Sequence, residues 1–271
     1  MALKHYFNSK SCHLLATLLG LFLLAGCAYL PFERVDYKAY PTAEDPSDFY
    51  GRVYSRTRLE EVKVGQASSA AEASQQVGFP VRLPAYLPEG IEPVEQIISS
   101  QSHAYQVDID LSTARLLLES ANLPTDSLPA DVQQIKVNAT VSPAAITSQG
   151  SDPHFVTLIQ TTNPTVDSTS GIDPAQLDVL GILGWQYLGL TEEQARQINR
   201  DMSWASFLAL PPADMESAEM VDIEGTPGVA LQSVEVDNPH RAILWQADGL
   251  LFGLYSNLPF SELYKVAASI E

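Results

Sequence analysis

The chain has 271 residues, 45% of them hydrophobic and 18% charged, a composition that folds into a packed core and argues against a disordered segment. Fifteen Lys and Arg stand against 33 Asp and Glu, for a formal charge of -18. Such a surface repels polyanions, which argues against nucleic acid as a partner.

At the N-terminus, Lys4, His5 and Lys10 make a short basic region. Leu14 to Ala25 follows as a weakly polar to apolar run, closed by Leu24-Ala25-Gly26-Cys27. The run is about a dozen residues, short of the roughly 20 with which an α-helix crosses a bilayer. Residues 1–26 therefore read as a signal peptide, in preference to a permanent span or to ordinary secretory cleavage. The four residues ending at Cys27 resemble the bacterial lipobox. That resemblance implies cleavage between Gly26 and Cys27 and a diacylglyceryl, palmitate-bearing cysteine as the first mature residue.

Cys12 lies in the removed segment, so a mature chain has no thiol left for a disulfide, a zinc site or a nucleophile. It would carry 13 basic and 33 acidic residues. Acyl chains, not attraction to anionic head groups, would hold it on the extracytoplasmic face of a membrane. Residues 27–65 read as the lipidated cysteine and a tether, mixed in composition and without sustained period. The tether's aromatics, among them Tyr29, Phe32, Tyr40 and Tyr50, exceed what a spacer needs, so part of it lies along either the domain or the membrane interface.

The regular domain is expected over 66–271. Ser69-x-x-Glu72 has the form of a capping box, Ala70, Ala73 and Val77 follow at helical spacing, and Gly78 ends the helix. The next stretch, GFPVRLPAYLPEGIEP, places Pro80, Pro84, Pro88 and Pro93 among Phe79, Val81, Leu83, Tyr86, Leu87 and Ile91. Proline fixes φ and removes a donor, so this segment reads as an extended strap docked by its apolar side chains, or else as a ligand for a partner's groove. Tyr105 to Leu111 alternates as a half-buried strand whose other face carries Asp108 and Asp110. Those two carboxylates lack the glycine and the further acid of a calcium loop and read as a solvated face.

A helix over 112–121 and strands at QIKVNATV and FVTLIQTT follow. Asp173-Pro174 and Thr191-x-x-Gln194 open two helices, with Trp185, Tyr187 and Trp204 near their ends. These aromatics either plug a core or line a cavity. Four strand-like runs, AEMVDI, GVALQSVEV, RAILWQA and LLFGLYS, are joined by turns, of which Asp248-Gly249 is the strongest hairpin signal. A last helix spans 259–270. Together these elements predict an α+β domain, an antiparallel sheet with helices packed on one face.

Three stretches, VGFPVRLPAYLPEG, EGTPGVAL and LWQADGLLFGLYSNLPFSELYKVAASI, resemble a bacterial extracytoplasmic domain family of unknown function. The family is found on anti-sigma-factor-related membrane proteins and on lipoproteins. The resemblance covers roughly residues 68–271 and its shared residues are structural. It implies an outward-facing sensory or partner-binding module.

His103, His154 and His240 are isolated in the mature sequence, and no metal spacing, phosphate loop or nucleophile elbow occurs. No cofactor, no metal site and no catalytic residue is assigned. Two functions follow, a lipid-anchored, non-catalytic binding or sensory module for an envelope protein partner, or a carrier of lipid or a small molecule; both stand ahead of an envelope hydrolase whose site assembles from residues far apart in sequence. A carrier directs several of Trp185, Tyr187, Trp204, Trp245, Phe252 and Tyr255 around an empty volume, whereas a module packs them and offers an outer surface.

Overall fold

A computed structural model describes residues 52–93, 96–151, 154–170, 172–210, 215–233 and 240–270. The segment read from the sequence as a signal peptide, the cleavage site expected at Gly26 and Cys27, and the first part of the expected tether lie outside them. The fold is α+β with antiparallel pairing throughout. Its strands are β1 (Tyr54–Arg58), β2 (Val64–Ala67), β3 (Ile97–Ser100), β4 (His103–Asp110), β5 (Gln134–Val141), β6 (Ala144–Ser151), β7 (His154–Thr162) and β8 (Thr165–Ser170) in the first two thirds. After the helical middle come β9 (Met215–Ile223), β10 (Thr226–Ser233), β11 (Arg241–Ala247) and β12 (Leu250–Ser256). The helices are α1 (Ala70–Val77), α2 (Leu111–Ser120), α3 (Pro174–Tyr187), α4 (Glu192–Asp201), α5 (Ser206–Ala209) and α6 (Phe260–Ala268).

The strands form two sheets, not one: β1-β4-β5-β8, and β2-β3-β6-β7-β12-β11-β10-β9. Four chain segments supply both the small sheet and the first half of the large one, because β1 runs into β2, β3 into β4, β5 into β6 and β7 into β8. Each segment turns the same corner, and the neighbour order is kept across it. Strands that switch sheets need a bend that breaks the ladder locally, and here the broken ladder is patched by hydrogen bonds. Leu59 N–H donates to Ala104 O (3.0 Å) and Gln101 N–H to Lys63 O (2.9 Å). The hydroxyls of Ser102, Ser142 and Thr161 donate to Val141 O, Asn163 O and Pro143 O at 3.0, 3.3 and 2.9 Å. Pro143 and Pro164 stand at two of the bends, where a residue without an N–H does no harm to the ladder.

Residues 52–65, read from the sequence as the end of the tether, belong to the domain. Val53 is buried, and β1 pairs along its length with β4, from Tyr54 opposite Ile109 to Arg58 opposite Tyr105. The inward residues of β1 are Tyr54, Arg56 and Arg58, all partly buried and all polar, with Tyr54 packed against the core between the sheets, so no hydrophobic alternation marks the strand in the sequence.

Helices cover both faces of the large sheet. In β12, Leu250, Phe252 and Leu254 face one core and Leu251 the other; in β11, Ile243 and Trp245 oppose Ala242 and Leu244. The near-continuous apolar runs of β10 to β12 are the pattern of a sheet buried on two sides. One side holds α3 to α5, α2 and the small sheet around Trp185, Ile198, Met202 and Trp204. The other holds α6 through Leu263 and Val266, and α1 through Ala73 and Val77. Helices on one face only, as the sequence predicts, is therefore corrected.

Candidate functional site

The proline-rich stretch crosses the face of the large sheet between α1 and α6. Val81 and Ile91 are buried, and Phe79, Leu83 and Leu87 are partly buried against the same cores. The backbone of Arg82 is held by a side chain: its N–H donates to Gln160 Oε1 (2.8 Å) and its carbonyl accepts from Gln160 Nε2 (2.7 Å). Its guanidinium pairs with Asp248 (2.6 Å) and lies 5.9 Å from the centre of the Phe252 ring. Further along, Pro84 bridges Ile270, and the N–H groups of Ala85 and Tyr86 donate to Ser269 O and Oγ. The first half of the strap is thus tied at two places, to the sheet at Arg82 and to the end of the last helix at 84–86.

Tyr86 turns outward, against the expectation that it docks on the core. Its hydroxyl donates to Glu262 Oε2 (2.7 Å), and Lys265 donates to Glu262 Oε1 (2.8 Å). The hydrogen bond to the carboxylate raises the Tyr86 pKa. The bonds from Lys265 and then Tyr86 lower that of Glu262, and Glu262 raises that of Lys265.

The six aromatics singled out in the sequence do not converge. Trp185 (0% exposed) sits in the core between the sheets, its ring edge-on to Phe207 at 4.8 Å, and Tyr187 and Tyr255 pack at that core's margin. Trp204 lies in the same core, its Nε1 donating to Tyr54 Oη (3.3 Å). Burial raises the Tyr54 pKa, opposed by the Trp204 bond. Trp245 and Phe252 stack at 4.9 Å on the opposite face of the large sheet. The four that are buried, Trp185, Trp204, Trp245 and Phe252, are packed among the chain's own side chains.

Asp108 and Asp110 separate as well. Asp110 caps α2, accepting from the N–H groups of Ser112 and Thr113, while Asp108 accepts from Gln106 on the outer face of the small sheet. Among the described residues, no three His, Cys, Asp or Glu side chains gather as metal ligands. No helix among those residues is long and apolar enough to cross a membrane.

One depression involves the strap. It has a volume of about 280 Å³, is lined by Leu83, Pro84, Ala85, Leu87, Ile91 and Pro93, and reaches Gln149 of β6. Gln149 is 4% exposed and its Oε1 has no hydrogen-bond partner. Sequence reading missed Gln149 because AITSQGS is too polar to stand out as a strand. A second depression, of about 340 Å³, lies between β9, β10 and Phe260 and is lined by Ser217, Ala218, Glu219, Ala230 and Gln232. No protein-family model matches the chain, and no curated protein and no solved structure matches it.

Proposed function

We propose that this chain is a lipid-anchored, non-catalytic binding module of the bacterial cell envelope, tethered through Cys27 and recognising a protein partner at its outer surface. The observation that carries the recognition half is the packing of Trp185, Trp204, Trp245 and Phe252, each at most 3% exposed. A carrier would spend these side chains around empty volume, whereas here they fill the space between the elements. The anchoring half is supported by Leu24-Ala25-Gly26-Cys27, and the sensory half by the likeness to the extracytoplasmic domains of anti-sigma-factor-related proteins.

The test has two readouts on the full chain expressed in a bacterium. Intact mass of protein extracted from membranes should show acyl mass on a chain beginning at Cys27, absent from Cys27→Ala. Crosslinking in cells should capture a partner that depends on the folded domain. A soluble wild-type chain of full mass would overturn the anchor. The bent sheet favours one other reading, since curvature is what a carrier uses, and a lipid adduct on the gently purified protein by native mass spectrometry would move the conclusion to it.

A further inference from the structure

We propose that the free edge of β9 is a docking site, to which an extended, basic segment of a protein partner adds as a further strand. The proposal rests on the binding-module reading and deepens it by naming a place and a chemistry.

The backbone of the edge makes the site. β9, at nine residues, is the longest of the four strands that end a sheet, and β10 is its one neighbour. Pro227 stands opposite Asp222 and has no N–H to give, so that pair is of the non-hydrogen-bonded kind and the Asp222 backbone groups point outward. Ala218, four residues back and in phase, turns its N–H the same way, to Leu188 O (2.8 Å). Met220 lies between them, so its N–H and carbonyl face out as well. Among the described residues, Leu188 alone takes a backbone group on this side, which leaves Met220 and Asp222 as a template for an incoming strand. Met220 and Val221 are half-buried on opposite faces of the sheet and give that strand's alternate side chains an apolar neighbour on each face.

Charge selects the occupant. Glu216, Glu219 and Asp222 are exposed along β9, which has no Lys or Arg. A second copy pairing edge to edge would lay one row of carboxylates on another, and like charges across paired strands repel. A basic strand meets opposite charge instead. The depression of about 340 Å³ beside the edge fits the same occupant, because Glu219 lines it together with Ala230 and Phe260 and joins no salt bridge among the described residues. A lysine or arginine there lays its stem on the apolar wall and its charge beside the carboxylate. Arg241, 5.6 Å from the centre of the Phe260 ring, is occupied by the carbonyls of Asn257 and Leu258 (3.3 and 3.1 Å).

The probe is a fluorescently labelled acetyl-TKVKVKT-amide, titrated with the full chain and read by anisotropy. Two companions separate the causes. One is the same peptide N-methylated at its three central residues, which keeps every charge and removes N–H groups on both sides of the strand. The other is TEVEVET, which reverses the charge. The basic peptide should bind, its N-methylated form at least about tenfold more weakly, the factor carried by one neutral hydrogen bond, and the acidic one not at all. Met220→Pro removes an outward N–H with no change of charge, at an edge where proline is tolerated, and should bring the unmodified peptide to the level of the methylated one. Equal binding of those two by the wild-type chain, as plain attraction to a net charge of -18 would give, overturns the site even if the variant fails to fold. So does binding that survives Met220→Pro, acidic peptide that binds as tightly as basic, or no binding of the basic peptide. A partner still crosslinked in cells by Met220→Pro would leave the module standing and remove this edge from it.

Discussion

The side-chain amide of Gln160 does for Arg82 what a neighbouring strand would do: it accepts from the Arg82 N–H at 2.8 Å and donates to the Arg82 carbonyl at 2.7 Å. Gln160 is fully buried in β7, and the strap, stiffened by proline, has no ladder partner of its own at this point. Gln160→Leu leaves both backbone groups unpaired beneath the strap and should cost about 2–6 kcal/mol, the sum of two unsatisfied polar groups. Urea unfolding should show a lower midpoint with an unchanged slope. A loss below about 0.5 kcal/mol, within the usual range for an uninvolved surface site, would mean that water replaces the amide and that the strap is held elsewhere.

Arg82 also reaches the β11–β12 hairpin, and there the backbone matters more than the charge. Asp248 has φ +52° and Gly249 φ +79°, the pair of left-handed residues that a two-residue hairpin requires. The ion pair to Arg82 is short, but the Asp248 side chain is 71% exposed. Exposed pairs contribute little. Asp248→Asn should therefore change stability by less than about 0.5 kcal/mol, whereas Asp248→Val, which resists positive φ, should cost about 1–2 kcal/mol. Thermal unfolding of the two variants side by side separates the two causes. Equal losses would assign the position to its charge.

That hairpin is legible in the sequence because its cause is local. The same holds for Thr191-x-x-Gln194, which forms a full reciprocal cap, and for Ser69, whose hydroxyl accepts from Glu72 N–H. Glu72 departs from the pattern by one residue, since its carboxylate takes the N–H and hydroxyl of Ser68. Bonds to Ser68 lower its pKa. What the sequence does not disclose depends on distant chain. Nothing in YSRTR announces that Arg56 donates to the carbonyls of Phe207 and Leu208 at 2.5 and 3.2 Å. The corner turned by four chain segments is equally hidden, because alternation runs on through each bend and period alone does not say which sheet a residue joins. Gln160, in the legible strand FVTLIQTT, and Gln149, in the polar AITSQGS, are both buried glutamines, and only their surroundings in the fold tell the satisfied one from the orphan.

His103 carries a pH dependence. It is buried on the inward face of the small sheet, its Nδ1 2.9 Å from Gln101 O and its ring edge-on to Tyr105 at 4.9 Å. Burial lowers its pKa from the ordinary 6.5; the Gln101 carbonyl opposes this, Arg58 reinforces it and Glu60 opposes it. With the folded pKa below the unfolded one, the unfolded chain binds the extra proton first, so stability is lost as pH falls through 6.5 toward the folded value. The wild-type unfolding midpoint should drop between about pH 8 and about pH 5.5 by more than that of His103→Gln, whose side chain does not titrate. A variant that tracks the wild type across this range would place the acid sensitivity in other groups.

The crossing of α3 and α4 at Gly181 sets the last prediction. A Cβ at Gly181 of α3 would stand 2.6 Å from Asn199 Oδ1 of α4 and 3.3 Å from Trp204 Cβ. In a solvated helix, Gly→Ala gains about 1 kcal/mol from propensity. Here the added methyl meets an amide oxygen that is buried with no hydrogen-bond partner, and overpacking of this kind costs about 1–3 kcal/mol. Gly181→Ala alone should therefore fail to stabilise, and should lower the unfolding midpoint if α4 shifts to make room. Asn199→Ala removes both the obstacle and the orphan oxygen. The double variant should be more stable than the sum of the two single changes by about 1–2 kcal/mol, the coupling expected of residues in direct contact. Strict additivity would show that the helices yield freely at this crossing, and that the small residue on α3 answers to some demand other than the approach of Asn199.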